Sequence, residues 1–169
     1  MKLQNFKISS NKIAKIITTF FYSGTIKYAP GTFGTLAGLL FYILIMQKLP
    51  FHTQFIYLIA TIILGYFATK RYINAVLKNP DADPKEVVID EVIAILLINI
   101  IINYILSFSN QKMSYKHYLT IFVIFRTLDI TKIYPISWFD KNIKGSLGII
   151  LDDIVAALFT ILITIILFL

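Results

Sequence analysis

The sequence predicts an all-α, multi-spanning membrane protein, a single domain of about five apolar or polar-faced segments behind an N-terminal amphipathic helix. Three observations carry this. Hydrophobic residues make up 57% of the chain and charged residues 15%, against about 45–50% and about 25% in soluble domains, and the mean hydropathy is +0.76. Several runs of 20 residues or more pass without a charge. The basic residues bracket those runs, as topology signals do. This composition excludes disorder, which needs low hydrophobicity and high charge. With no cysteine in the 169 residues, a disulfide framework, a thiolate metal site and a cysteine nucleophile are excluded as well. His52 and His117 stand far apart in sequence, so no zinc-type histidine cluster is visible.

The net charge of +7 would suggest nucleic acid in a soluble protein. Here the cations flank apolar segments and read as contacts to anionic lipid, so the expected partner is the membrane and not nucleic acid. Nothing in the sequence sets an oligomeric state.

Within the basic segment 1–22, residues 11–22 place Ile13, Ile16, Ile17, Phe20 and Phe21 on one helical face, opposite Lys12, Lys15, Thr18 and Thr19. The pattern predicts an amphipathic helix lying in the interface. Lys15 interrupts the apolar run, so it reads poorly as a signal peptide. Residues 28–47, 49–69 and 92–111 carry no charge and can each cross a core of about 30 Å. In the first, the Pro-Gly-rich opening predicts a helix start near Phe33 or Thr35. Residues 118–139 contain Arg126, Asp129 and Lys132, and predict a polar-faced span or a re-entrant segment. Residues 145–169 form the last span, apolar apart from Ser146, two threonines and the pair Asp152 and Asp153.

With five crossings and a cytoplasmic N-terminus, twelve of the Lys and Arg residues fall inside and three outside, and Arg126 lies within a span. The bias sets the orientation. It also brings the acidic segments to the cytoplasmic face.

All nine acids lie at or beyond residue 81, in three short segments. In the first, Asp83, Pro84 and Glu86 match a helix cap, first helical position and capping box, which gives Asp83 and Glu86 a structural role. Asp90 and Glu91 follow too late for capping and stand at the mouth of an apolar run. In the second, Arg126 and Asp129 share a helical stripe with Lys132, as a structural ion pair or part of a site. In the third, Asp152 and Asp153 sit inside an apolar span, where an ionised Asp costs roughly 2.5–3.5 kcal/mol. Several such carboxylates point to a hard divalent cation, Mg²⁺ being usual beside phosphates. Adjacent helical residues diverge by about 100°, so one of the two aspartates would bind metal while the other orients a water or a basic side chain.

Upstream, Pro30-Gly31-Thr32-Phe33-Gly34-Thr35 precedes a helix. Thr32, Gly34 and Thr35 read as a phosphate cradle at a helix start, or as a turn with a threonine cap. Carboxylates, one or two cations and a Gly-Thr loop at one membrane face suit metal-assisted hydrolysis of a phosphate ester. A small ion or proton transporter also uses intramembrane carboxylates, but it predicts acids near mid-membrane and repeated halves, and no repeat is visible.

Three stretches, SGTIKYAPGTFGTLAG (23–38), VVIDEVIA (87–94) and FVIFRTLDITKIYPISWFDKNIKGSLGIILDDIVAA (122–157), resemble the phosphatidylglycerophosphatase A family of bacterial membrane phosphatases. The resemblance implies Mg²⁺-dependent hydrolysis of phosphatidylglycerophosphate to phosphatidylglycerol and phosphate at the cytoplasmic face of the inner membrane. It places the family's acidic positions on Asp90, Glu91, Asp129, Asp152 and Asp153, its basic positions on Arg126 and Lys132, and its Gly-Thr motif on Pro30–Thr35. The five acids are the expected metal ligands and, with Arg126, the expected catalytic residues; Thr32, Gly34, Thr35, Arg126 and Lys132 are the expected phosphate contacts. The favoured nucleophile is a water activated by the ion, with an aspartyl-phosphate as the alternative. Ile133, Ser146 and Ala94 depart from the family's usual Pro, Gly and Gly.

Overall fold

The computed structural model describes the backbone of residues 2–168 and the side chains from Ser9 to Phe168. Within these residues the chain forms seven helices and no sheet: α1 (Lys2–Thr18), α2 (Pro30–Leu44), α3 (Phe51–Arg71), α4 (Ile89–Phe108), α5 (Tyr115–Thr131), α6 (Ile136–Asn142) and α7 (Gly145–Phe168). A π turn, Tyr72–Val76, prolongs α3. Four helical stretches are long and apolar enough to cross a membrane: Pro30–Lys48, Phe51–Val76, Ile89–Phe108 and Gly145–Phe168.

Because α4 is apolar on all sides, it takes the centre of the bundle. Val92 through Leu96, Ile98 and Ile100 are buried. One side of α4 packs Ala94, Ile98 and Ile102 with Phe125 of α5 and Ala156 and Ala157 of α7. The other packs Ile93, Leu96 and Ile100 with Tyr42 of α2 and Leu58 of α3. In lipid, apolar residues gain little by leaving the solvent, so helices associate through close packing at small residues. A Cβ on Gly34 would meet the side chain of Val88, and one on Gly38 would meet Ile95 Cγ2 at 2.7 Å and Val92 Cα at 3.2 Å. The outward faces carry exposed Leu40 and Leu44 on α2, Ile59, Ile63 and Phe67 on α3, and Leu158, Leu162 and Ile166 on α7. So much exposed apolar surface suits contact with acyl chains.

Chain direction alternates. The rings of Phe51, opening α3, and Tyr104, closing α4, stack edge to face at 5.0 Å. His117, near the start of α5, and Phe168, at the end of α7, lie 4.4 Å apart. Helix α5 therefore runs antiparallel to α7, with Leu119, Val123 and Ile130 outward and Phe125 inward. The starts of α2, α4 and α7 gather at one end of the bundle with the finish of α5.

Four local expectations are corrected. Helix α2 begins at Pro30, not at Phe33 or Thr35, because Pro fits the first helical position, whose N–H would be unpaired anyway. Helix α4 begins at Ile89, with Asp90 and Glu91 in its first turn, and not behind an Asp83 cap. The residues of that apparent cap are engaged elsewhere: the Tyr72 hydroxyl donates to the Glu86 carboxylate, and Val88 N–H donates to Thr18 C=O at 2.9 Å. Residues 118–139 are not one helix. Helix α5 stops at Lys132, whose φ of 43° is left-handed, and α6 starts after a cis Tyr134–Pro135 peptide. Helix α1 ends at Thr18, with Phe20, Phe21 and Tyr22 at positive φ. Among its described side chains Ala14 and Thr18 are buried, while Ile13 is exposed. The threonine turns inward because its hydroxyl is satisfied by Ala14 C=O at 2.9 Å.

Candidate active site

Where the helix starts meet, a cavity of about 590 Å³ opens at the end of the bundle. Its wall takes Ala29–Thr32 from the start of α2, Asp83–Lys85 and Val87 from the segment before α4, and Asp90 and Glu91 from α4. Arg126, Asp129 and Ile130 come from α5, Lys132 from its end, and Ile149, Asp152 and Asp153 from α7. All five expected acids and both expected cations share this one cavity.

Within it the acids divide into two sets. Asp90, Glu91 and Asp153 bring one carboxylate oxygen each to within 4.8 Å of one another. Asp90 Oδ1, Glu91 Oε2 and Asp153 Oδ2 are buried without a hydrogen-bond partner among the described residues. Buried carboxylates left without partners are costly, and three together repel. Oxygen donors at this spacing suit a hard divalent cation, so the residues fit such an ion. Asp90 and Glu91 both join the group despite being adjacent, since the longer Glu side chain reaches round the first turn of α4.

The remaining two acids are held by cations. Asp129 Oδ2 accepts from Arg126 Nη1 at 2.5 Å. Asp152 Oδ2 accepts from Lys132 Nζ at 2.8 Å, and Asp140 also accepts from Lys132. Arg126 Nη1 lies 3.7 Å from Glu91 Oε1 and donates to Thr35 Oγ1 at 3.3 Å. Burial works against the charge on Lys132, but the Asp140 and Asp152 carboxylates outweigh it and raise its pKa above the ordinary lysine range.

The Gly-Thr motif is divided too. Thr32 lines the cavity beside Gly31, but Gly34 is turned to Val88 and its missing side chain serves helix contact. Thr35 is fully buried; its hydroxyl donates to Gly31 C=O at 2.8 Å and braces Arg126. A Cβ on Gly31 would meet the Glu91 carboxylate and, at 3.0 Å, an Arg126 nitrogen. The cradle's loop character is absent, because Thr32 and Phe33 N–H both turn back to Ala29 C=O.

A profile for the family described as Phosphatidylglycerophosphatase A matches residues 16–168. The chain belongs to that family. Among relatives, the phosphatidylglycerophosphatase A of Escherichia coli is 31% identical over 141 residues, 83% of this chain and 75% of its own length. That of Haemophilus influenzae is 27% identical over 157 residues, 93% of this chain and 90% of its own. A Bacteroides thetaiotaomicron protein provisionally described as a phosphatidylinositol-3-phosphatase is 28% identical over 145 residues, 86% of this chain and 87% of its own. No solved structure matches the chain. As a phosphatidylglycerophosphatase A-type protein it is a phosphoric monoester hydrolase of the membrane that acts on a phospholipid.

Three residues of the site escaped the sequence reading. Asp140 looks like a surface charge in α6, and only the fold brings it to Lys132. Asp83 has the sequence of a helix cap yet lines the cavity, as does Lys85. The mismatch between a capping pattern and the engaged Glu86 leaves no trace in the sequence.

Proposed function

We propose that this cavity is the active site and that the protein hydrolyses phosphatidylglycerophosphate to phosphatidylglycerol and inorganic phosphate, with Mg²⁺, at the cytoplasmic face of a bacterial inner membrane. One observation carries the reading: three clustered carboxylates, each with a buried oxygen that has no hydrogen-bond partner among the described residues, share one cavity with two ion-paired cations at the end of a bundle of apolar helices. Asp90, Glu91 and Asp153 would hold the ion, which supplies charge neutralisation at the phosphate and Lewis-acid polarisation of water.

Arg126 would bind two phosphoryl oxygens through its planar fork, with Asp129 and Thr35 fixing the plane. Lys132, held protonated by Asp140 and Asp152, would neutralise charge as the P–O bond to the glycerol oxygen breaks, without giving up its own proton. Thr32 would add a hydroxyl at the rim. Water is the nucleophile in this reading, because every acid expected to react has another role: Asp129 and Asp152 pair with cations, and Asp90, Glu91 and Asp153 would hold the ion. The cytoplasmic orientation rests on charge. The site end carries Lys70, Arg71, Lys78, Lys85, Lys132, Lys141 and Lys144, and the far end Lys48, Lys112 and Lys116, which is the bias of a cytoplasmic face. An ion pathway would need carboxylates along the bundle, and none of the nine acids lies toward the far end.

The test is phosphate release from phosphatidylglycerophosphate by the detergent-purified protein with Mg²⁺, with EDTA, and with Asp90→Asn and Asp153→Asn. Release that needs Mg²⁺ and collapses in both variants is expected. A folded protein that releases no phosphate with any divalent ion would overturn the reading.

A further inference from the structure

The cavity wall holds three side-chain cations, and two of them are occupied. Arg126 is engaged by Asp129 and Glu91, and Lys132 by Asp140 and Asp152. The third, Lys85, lines the same cavity, is exposed, and has no carboxylate within ion-pair distance among the described residues. Its backbone is nevertheless well anchored. The neighbouring Glu86 accepts from the Tyr72 hydroxyl, Val87 N–H donates to Pro84 C=O at 2.9 Å, and Val88 N–H donates to Thr18 C=O at 2.9 Å. The segment is therefore tied to α1 and to the end of α3, and it offers one uncommitted ammonium from the side of the cavity where α4 begins. In a wall so rich in carboxylates, a lysine that pairs with none of them is available to an anion from outside.

The proposed substrate has two phosphates of different kind, a terminal monoester and the diester that joins the headgroup to diacylglycerol. The carboxylate-held cations and the acid trio stand where the monoester must react. An ion pair with the diester needs only a positive charge elsewhere on the wall. We propose that Lys85 forms the subsite for the substrate's phosphodiester, making it a specificity-determining residue for a lipid with two phosphates. This rests on the proposed function above. A flexible ammonium suits the role, because it binds phosphate as a point charge and demands no fixed geometry.

The test uses the full-length protein in mixed detergent micelles with phosphatidylglycerophosphate, comparing wild type, Lys85→Gln and Lys85→Arg. KM, kcat and the inhibition constant of inorganic phosphate, a mimic of the monoester alone, are measured for each. For Lys85→Gln the expected result is a rise in KM of about three- to fivefold, the upper end for loss of one exposed charged contact, with kcat and the phosphate inhibition constant within about twofold. Lys85→Arg should restore KM. A KM that stays flat in Lys85→Gln overturns the subsite, and so does a phosphate inhibition constant that rises with KM, since that assigns Lys85 to the general field of the cavity. A wild-type protein that releases no phosphate from this lipid overturns the functional reading itself. A wild type that turns it over beside an unaffected Lys85→Gln overturns this inference alone.

Discussion

Asp152 and Asp153 are neighbours in the chain and part company in the structure. Asp152 accepts from Lys132 at 2.8 Å, while Asp153 turns to Asp90 and Glu91. The 100° step between adjacent helical residues makes one a partner of a cation and the other a member of an acid cluster. The two substitutions to Asn are therefore expected to differ. Asp153→Asn should raise the Mg²⁺ concentration for half-maximal rate and lower kcat by about 10²–10³-fold. Asp152→Asn should leave the Mg²⁺ requirement within about threefold and lower kcat/KM by about 10–100-fold. Phosphate release across a Mg²⁺ titration distinguishes the two, and indistinguishable titrations would contradict the division.

Arg126 reaches Asp129, Glu91 and Thr35 through one guanidinium nitrogen, Nη1, which leaves Nη2 for a ligand. Lysine carries the charge without the plane. Arg126→Lys should lower kcat/KM by about 100-fold or more, and Thr35→Val by a smaller factor of about 3–10, since Thr35 acts only through Arg126. Steady-state kinetics on both variants checks the order; a larger loss at Thr35 would refute it.

Asp90, Glu91 and Asp153 repel one another when no cation lies among them. In EDTA, Asp90→Asn should therefore melt higher than the wild type, by about 2–4 °C for about 1 kcal/mol in a chain of this size. Added Mg²⁺ should raise the wild-type melting temperature by mass action and the variant's much less. Thermal unfolding in detergent measures both. A variant that melts lower than the wild type in EDTA would remove the argument from repulsion.

Close helix contact at Gly38 makes a different kind of demand. A methyl there would meet Val92 Cα, a backbone atom with no rotamer to change. Gly38→Ala should destabilise by about 1–3 kcal/mol, the usual cost of overpacking. Thermal unfolding checks this as well, with Ala37→Gly, one residue away and half-buried, as the comparison.

Much of the site was legible because acids are expensive in apolar helices: Asp90, Glu91, Asp152 and Asp153 could not be explained as surface. Arg126 and Asp129 stood out for the same reason. Their partners were not legible. Pairing of Lys132 with Asp140 and Asp152 depends on where α5 stops, and a left-handed residue at Lys132 has no signature when the residue is not glycine. Helix starts failed in both directions. Pro30-Gly31 looks like a break although Pro opens a helix well, and Asp83-Pro84-Glu86 looks like an opening although Tyr72 takes the glutamate. Only in the second case did local pattern lose to a contact from a distant part of the chain.

The glycines of α2 work as an alignment gauge. Gly31 meets Glu91 and Arg126, Gly34 meets Val88, and Gly38 meets Val92 and Ile95, so three notches at successive turns seat one helix against another. A slip of α2 by a single turn would carry Gly31 about 5.4 Å along the axis, away from the carboxylate and guanidinium it now admits. The spacing of charged groups at the water-facing end is thus calibrated by hydrocarbon contacts about 10 Å deeper along α2. Changes in that greasy interior, far from any phosphate, will be felt as errors of position at Arg126.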